Sequence, residues 1–144
     1  MQLREMTAED IKELAELYKQ FWNEESITEK MREKFTDLKT NDNYIYLSAF
    51  IQGNLVGSIL GIVCESLYGE CEPFLVIEDF IVDENYRQQG IGSALIEELE
   101  ERAKKQGCTH IILVTEKERK GAIRFYETAG YKKGQHQGFK KSLE

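Results

Sequence analysis

Residues 86–97 read YRQQGIGSALIE. Gly90 and Gly92 stand where an apolar, helix-periodic segment begins, with Arg87, Gln88 and Gln89 before them, Ile91 between them and Ser93 after. The first amides of a helix have no intrahelical partner, and the helix dipole adds partial positive charge there. Glycines at such a turn leave those amides bare to a ligand. Ser93 can add a hydroxyl and Arg87 a positive charge, so the stretch describes a pyrophosphate cradle. The alternative is an ordinary helix start that carries two glycines. No Walker A pattern is present, and Leu95 stands where a dinucleotide fingerprint needs its third glycine.

A second chemical feature lies just upstream. Glu78 and Asp79 interrupt the apolar run VIEDFIV, residues 76–82. A charge in such a run costs free energy unless it is paired or near water. Partial burial would raise the Glu78 pKa, which makes Glu78 a candidate general base; a structural salt bridge is the competing role. Strand alternation puts Asp79 on the side opposite Glu78. The FWNEE stretch, residues 21–25, joins aromatic surface to carboxylates that can hold a cation. Its cation-binding candidates are Trp22 and Glu25, beside Phe21 and Glu24; the competing reading has Phe21 in the core and the glutamates capping the next helix. His110 is expected to open a buried strand and His136 to sit in a polar loop. No His, Cys and carboxylate cluster suggests a metal.

The elements that must position these residues read as follows. Residues 1–6 suit a short strand, and Thr7 with Asp10 marks a helix start. Ile11, Leu14, Tyr18 and Phe21 follow at helical spacing, as do Ile27, Met31, Phe35 and Leu38. Two β-rich runs flank Gln52-Gly53-Asn54, a hairpin signal. Residues 74–82 form a strand. A helix over about 92–106 ends at Gly107. HIILVT, residues 110–115, reads as a strand of a sheet interior, residues 121–129 as a short helix, and residues 139–143 as a closing strand. The order is that of a mixed α/β sheet.

The length fits one domain, 1–144. A net charge of −7 opposes nucleic-acid binding and suits a cationic substrate. No apolar run is long enough for a membrane span, and the charged N-terminus lacks a signal-peptide core, so a cytoplasmic location is expected. Three cysteines without a CxxC pair are expected as free thiols.

Arg87-Gln88-Gln89-Gly90-Ile91-Gly92 resembles the (R/Q)xxGx(G/A) pattern of the GNAT superfamily of acyl-CoA-dependent N-acyltransferases, and GAIRFYETAGY, residues 121–131, is similar to its AxxFYExxGF motif. The resemblance implies an α/β fold with a mixed, mostly antiparallel sheet, splayed central strands and flanking helices. It implies acetyl-CoA as co-substrate, without a metal. Pantetheine would pair with strand backbone at Ile81 and Val82, and pyrophosphate would rest on the amides of Gln88 to Ser93. A main-chain amide, that of Val82, would hold the oxyanion. Tyr126 would be the general acid, since a phenol stays protonated at neutral pH. IEDF…YR resembles polyamine N-acetyltransferases, in which the residue matching Glu78 is a base candidate. One departure stands out: Arg119 occupies a position that is Asn in many members. Possible homodimerisation is also a family trait. The resulting expectation is an N-acetyltransferase for a polyamine-like, aminoglycoside-like or peptidyl amine. The alternatives are a catalytically silent CoA-binding regulatory module and an unrelated nucleotide-binding protein.

Overall fold

A computed structural model describes residues 1–144. The chain divides into two compact units, Met1–Ile112 and Leu113–Glu144.

The first unit is built on a five-stranded sheet in the order β1-β2-β3-β4-β5: β1 Gln2–Glu5, β2 Tyr44–Ile51, β3 Asn54–Cys64, β4 Phe74–Val82 and β5 Ile111–Ile112. The first four strands pair antiparallel and β4–β5 parallel. β2 and β3 are joined by a two-residue turn, Gln52-Gly53, with both φ angles positive, at +50° and +81°. This turn matches the right-handed strand twist and so fixes the register.

Helices cover both faces. Residues Ile11–Trp22 form α1 and Thr28–Leu38 form α2. Ile11 and Leu14 pack with Met6 and Phe35, with Tyr18 and Tyr46 at the margin, while Leu17 packs with Phe50, Leu55 and Ile81. These contacts follow from the helical spacing of the apolar residues. Ile27 lies outside α2 and is exposed, so it does not join the face expected of it.

α3, Ile91–Lys105, buries Ile91, Leu95, Ile96, Leu99 and Ala103. It lies close on β3 because that strand presents two glycines to it. A Cβ at Gly61 would stand 2.6 Å from Leu99 Cδ1, and one at Gly57 would stand 3.1 Å from both Ile91 Cγ2 and Leu95 Cδ1. At protein packing density there is no room for either methyl without a shift.

Two strand expectations are corrected. The strand expected over 110–115 shrinks to Ile111–Ile112, at the sheet edge rather than its interior, and Ile112 and Val114 are exposed. It has a strand neighbour on one side only, so it buries one flank. His110 is accordingly exposed, and its ring stacks on Phe74 with centroids 5.1 Å apart. Residues 139–143 form no strand, and Phe139 and Leu143 are exposed. FKKSL offers only two apolar side chains around adjacent lysines, too little surface to offset the cost of ordering.

The second unit holds α4, Lys120–Thr128. It ends at Gly130, with φ +96°, where the Tyr131 amide donates to the Tyr126 carbonyl at 2.9 Å. The Phe125 and Tyr126 rings, and those of Tyr126 and Tyr131, meet edge to face at 5.5 Å and 6.1 Å.

Candidate functional site

The turn from β4 into α3 is held from below and open above. Asp83 Oδ1 accepts from the Asn85 amide at 2.9 Å, starting a 3₁₀ turn over Glu84–Tyr86. Gln20 Oε1 of α1 accepts from the Glu84 amide at 2.9 Å. The Arg87 Nε donates to the Val82 carbonyl at 3.3 Å. Gln88 then takes φ +61° and Gly90 φ +81°. A Cβ on Gly90 would meet no protein atom within 4 Å, so its glycine answers to backbone conformation and to open space, not to internal crowding. Gly92 lies inside the first turn of α3 in helical conformation.

No side chain caps α3, and its first turn carries no acidic residue. Its first backbone hydrogen bond runs from the Ala94 amide to the Gly90 carbonyl at 3.0 Å. The amides of Ile91, Gly92 and Ser93 precede that bond, and Gln88, Gln89, Gly90 and Ser93 are exposed. The expected cradle residues therefore lie in one turn, with amides that no side chain caps and the exposed Arg87 guanidinium in the same loop. This arrangement can hold a di-anionic group.

Ile81 and Val82 end β4, opposite Ser58 and Gly57 of β3. The Ile81 side chain is core, which leaves its backbone as the functional part. The β4–β5 pairing covers only Leu75–Ile111 and Val76–Ile112, so β4 runs on from Ile77 to Val82 with no strand partner on that side. The backbone of β4 is thus unpaired by a strand on that side where the expected pantetheine contacts, Ile81 and Val82, lie.

The carboxylates differ from expectation. Glu78 is exposed, and it is Asp79 that is half-buried. β4 bulges there: Leu60 pairs with Glu78 and Ser58 with Ile81, so Asp79 and Phe80 together stand opposite Ile59. Asp79 has φ +48°. The extra residue breaks the alternation that would set Asp79 opposite Glu78. Tyr18 of α1 and Tyr46 of β2 pack on the α1–α2 side, and their phenols are pushed up by burial first and by the Asp79 charge second. The sequence carries a signal for the bulge, because two adjacent carboxylates in an apolar run fit no regular strand, and Asp tolerates positive φ better than most residues.

Tyr126 is half-buried in the second unit. Burial pushes its phenol above the ordinary range, and the positive charge of Arg119 opposes that shift. Arg119 immediately precedes α4, and its Nη1 donates to Thr115 Oγ1 at 3.4 Å. Of the acceptor-site candidates, Trp22 is exposed and meets Tyr18 edge to face at 5.2 Å, while Glu25 is ion-paired with Lys19. No group of three or more His, Cys, Asp or Glu is placed to hold a metal ion, and no helix is long and apolar enough to cross a membrane.

The sequence pattern of the acetyltransferase (GNAT) family matches residues 11–131, and the chain belongs to that family. Its members are acyl-CoA-dependent N-acyltransferases with acetyl-CoA as co-substrate. The chain is 34% identical over 86 residues to the uncharacterised protein YdhI of Bacillus subtilis, covering 59% of this chain and 50% of YdhI. It is 38% identical over 61 residues to the glucosamine 6-phosphate N-acetyltransferase of Trypanosoma brucei brucei, covering 42% of this chain and 40% of that enzyme. These matches span half or less of the relatives' own length. Among solved structures, a protein of Agrobacterium tumefaciens named for an acetyltransferase shares the fold with a TM-score of 0.91 at 22% identity, over 99% of this chain and 100% of that one.

Proposed function

We propose that this protein transfers an acetyl group from acetyl-CoA to a primary amine by direct attack. The observation that carries the reading is the uncapped first turn of α3, entered through the exposed Gly90 at φ +81°. In a chain of this family, that turn is suited to the pyrophosphate of acetyl-CoA, with Arg87 alongside. The family pattern covers parts of both compact units, which favours reading residues 1–144 as one catalytic domain.

In this reading the backbone of Ile81 and Val82 receives the pantetheine arm. The Val82 amide faces the oxyanion that forms when the amine attacks the thioester. Glu78, exposed and free to meet water, takes the proton of the attacking amine. Tyr126 supplies a proton to the departing thiolate; a phenol is protonated at neutral pH, and burial shifts Tyr126 further in that direction. The net charge of −7 favours a cationic acceptor such as a polyamine, an aminoglycoside or a peptidyl amine.

The test is thiol release from acetyl-CoA over a panel of polyamines, aminoglycosides, amino acids and N-terminal peptides. At least one amine should turn over, and acetyl-CoA should raise the melting temperature. Tyr126→Phe should lower kcat by roughly 10²-fold or more with little change in acetyl-CoA KM. A protein stabilised by acetyl-CoA that acetylates nothing on the panel would instead be a silent CoA-binding module. One stabilised by ATP but not by acetyl-CoA would sink the reading altogether.

A further inference from the structure

Arg87 belongs to the loop that leads into the bare turn of α3, yet its side chain is engaged with the chain's own backbone. The residue is exposed, and its Nε donates to the Val82 carbonyl at 3.3 Å. The direction of that carbonyl is fixed by its neighbour. The Asp83 amide donates to the Val56 carbonyl at 2.8 Å and so points at β3. Across a trans peptide the Val82 carbonyl points the other way. On that side β5 reaches only Leu75 and Val76. Arg87 therefore covers an acceptor on the unpaired edge of β4.

The turn does not depend on this bond. Asp83 Oδ1 accepts from the Asn85 amide and Gln20 Oε1 accepts from the Glu84 amide, each at 2.9 Å. The Arg87 bond is also longer than the usual N–H···O bond and open to water, so it holds weakly. Arg87 follows the 3₁₀ turn in extended backbone, at φ −68° and ψ 158°. An exposed side chain there can change rotamer without moving the backbone. A phosphate oxygen is a stronger competitor for the guanidinium than a peptide carbonyl, because it adds charge pairing. A side-on grip on phosphate uses Nε together with an Nη, and that frees the carbonyl.

We infer that Arg87 is a latch that selects acyl carriers bearing a pyrophosphate. In the free protein it occupies the Val82 carbonyl. A pyrophosphate on the α3 turn draws the guanidinium away, and the carbonyl then accepts an amide N–H of the pantetheine arm. An arm without phosphate must displace the guanidinium unaided and binds less tightly. By reciprocity, arm and pyrophosphate each strengthen the other's binding by the same factor. The inference rests on the acetyl-CoA reading for the identity of these two ligand parts. Arg87 acts on specificity here and takes no part in the proton transfers.

The test is calorimetry with pantetheine, which lacks the pyrophosphate, and with acetyl-CoA, on the wild type and Arg87→Met. Methionine has no N–H to donate to the carbonyl or to phosphate. The variant should bind pantetheine about threefold to tenfold more tightly, because the latch is gone. It should bind acetyl-CoA about threefold or more weakly, because the lost phosphate contact outweighs the lost latch. A purely structural Arg87 would move both affinities in the same direction. Millimolar inorganic pyrophosphate should tighten pantetheine binding to the wild type by about twofold to fivefold and leave that of Arg87→Met unchanged. If acetyl-CoA binds the wild type, two outcomes overturn the latch alone. One is pantetheine bound no more tightly by Arg87→Met than by the wild type. The other is pyrophosphate that fails to tighten pantetheine binding to the wild type. Failure of acetyl-CoA to bind the wild type would overturn the cofactor reading and the latch with it.

Discussion

Two helices of the first unit begin in opposite ways. The entry to α1 carries its own negative charge: Asp10 stands at its start and Glu13 in its first turn, although no side chain caps its amides directly. The Thr7 amide donates to Asp10 Oδ2 at 2.8 Å, and the Arg4 guanidinium donates to both Asp10 oxygens at 2.8 and 3.0 Å. Arg4 also lies over the Phe50 ring at 3.9 Å. The entry to α3 also lacks a side-chain cap, and it has no carboxylate in its first turn. Both starts satisfy the same physics, since orphan amides and a positive dipole end call for negative charge. At α1 the protein supplies that charge. At α3 it withholds it, and a ligand can supply it. A helix start becomes a binding site through what the sequence omits as much as through its glycines.

The comparison can be broken most forcefully at Gly90. Gly90→Val should weaken acetyl-CoA binding by about 30-fold or more, roughly 2 kcal/mol, while the strained left-handed backbone lowers unfolding free energy by about 1–2 kcal/mol. Unchanged affinity by calorimetry would mean that this turn holds no part of the cofactor.

Next comes Asp10→Ala, which should cost about 1–2 kcal/mol in chemical denaturation and leave the acetyl-CoA KM unaltered. The same carboxylate carries a pH signature. Burial pushes its carboxyl up, but the Arg4 and Thr7 hydrogen bonds outweigh that and hold it below the ordinary aspartate range. Its contribution is therefore complete above about pH 4, the unfolded value, and is lost as pH falls through the lower folded value. The stability gap between wild type and Asp10→Asn should close over that acid range and stay constant above pH 5. A gap that widens towards acid would contradict the assignment.

The smallest change is the sharpest. Ser93→Asp places a negative charge in the bare first turn of α3. It should raise unfolding free energy by about 0.3–1 kcal/mol while weakening acetyl-CoA binding several-fold. Opposite signs for stability and affinity are expected only where a ligand and a cap compete for one set of amides.

Much of this was legible from residue order. The hairpin at Gln52-Gly53, the helical stripes of α1 and α3, and the Gly90 turn all follow from local patterns that act within a few residues. The family motifs at residues 87–92 and 121–131 added the fold. Asp79 was not legible in the same way. Strand periodicity assumes one residue opposite one residue, and the bulge opposite Ile59 is a property of two strands, not of one. Tyr18 and Tyr46 come from distant parts of the chain, and only the folded chain packs both against the cluster of Met6, Ile11, Leu14 and Phe35. The fate of residues 110–115 likewise depended on a missing neighbour strand, which no periodicity in HIILVT encodes. Arg119 was legible as a departure, but its electrostatic reach to Tyr126 required α4 to be in place.

The glycines of β3 carry one further consequence. Because Gly57 and Gly61 let α3 settle directly on the strand, the helix is locked by Ile91, Leu95 and Leu99 along three successive turns. Its first amides thus hold their directions before any ligand arrives. A flexible molecule that docks there surrenders its own conformational freedom but meets a receptor with little left to surrender, so more of the contact energy remains as affinity.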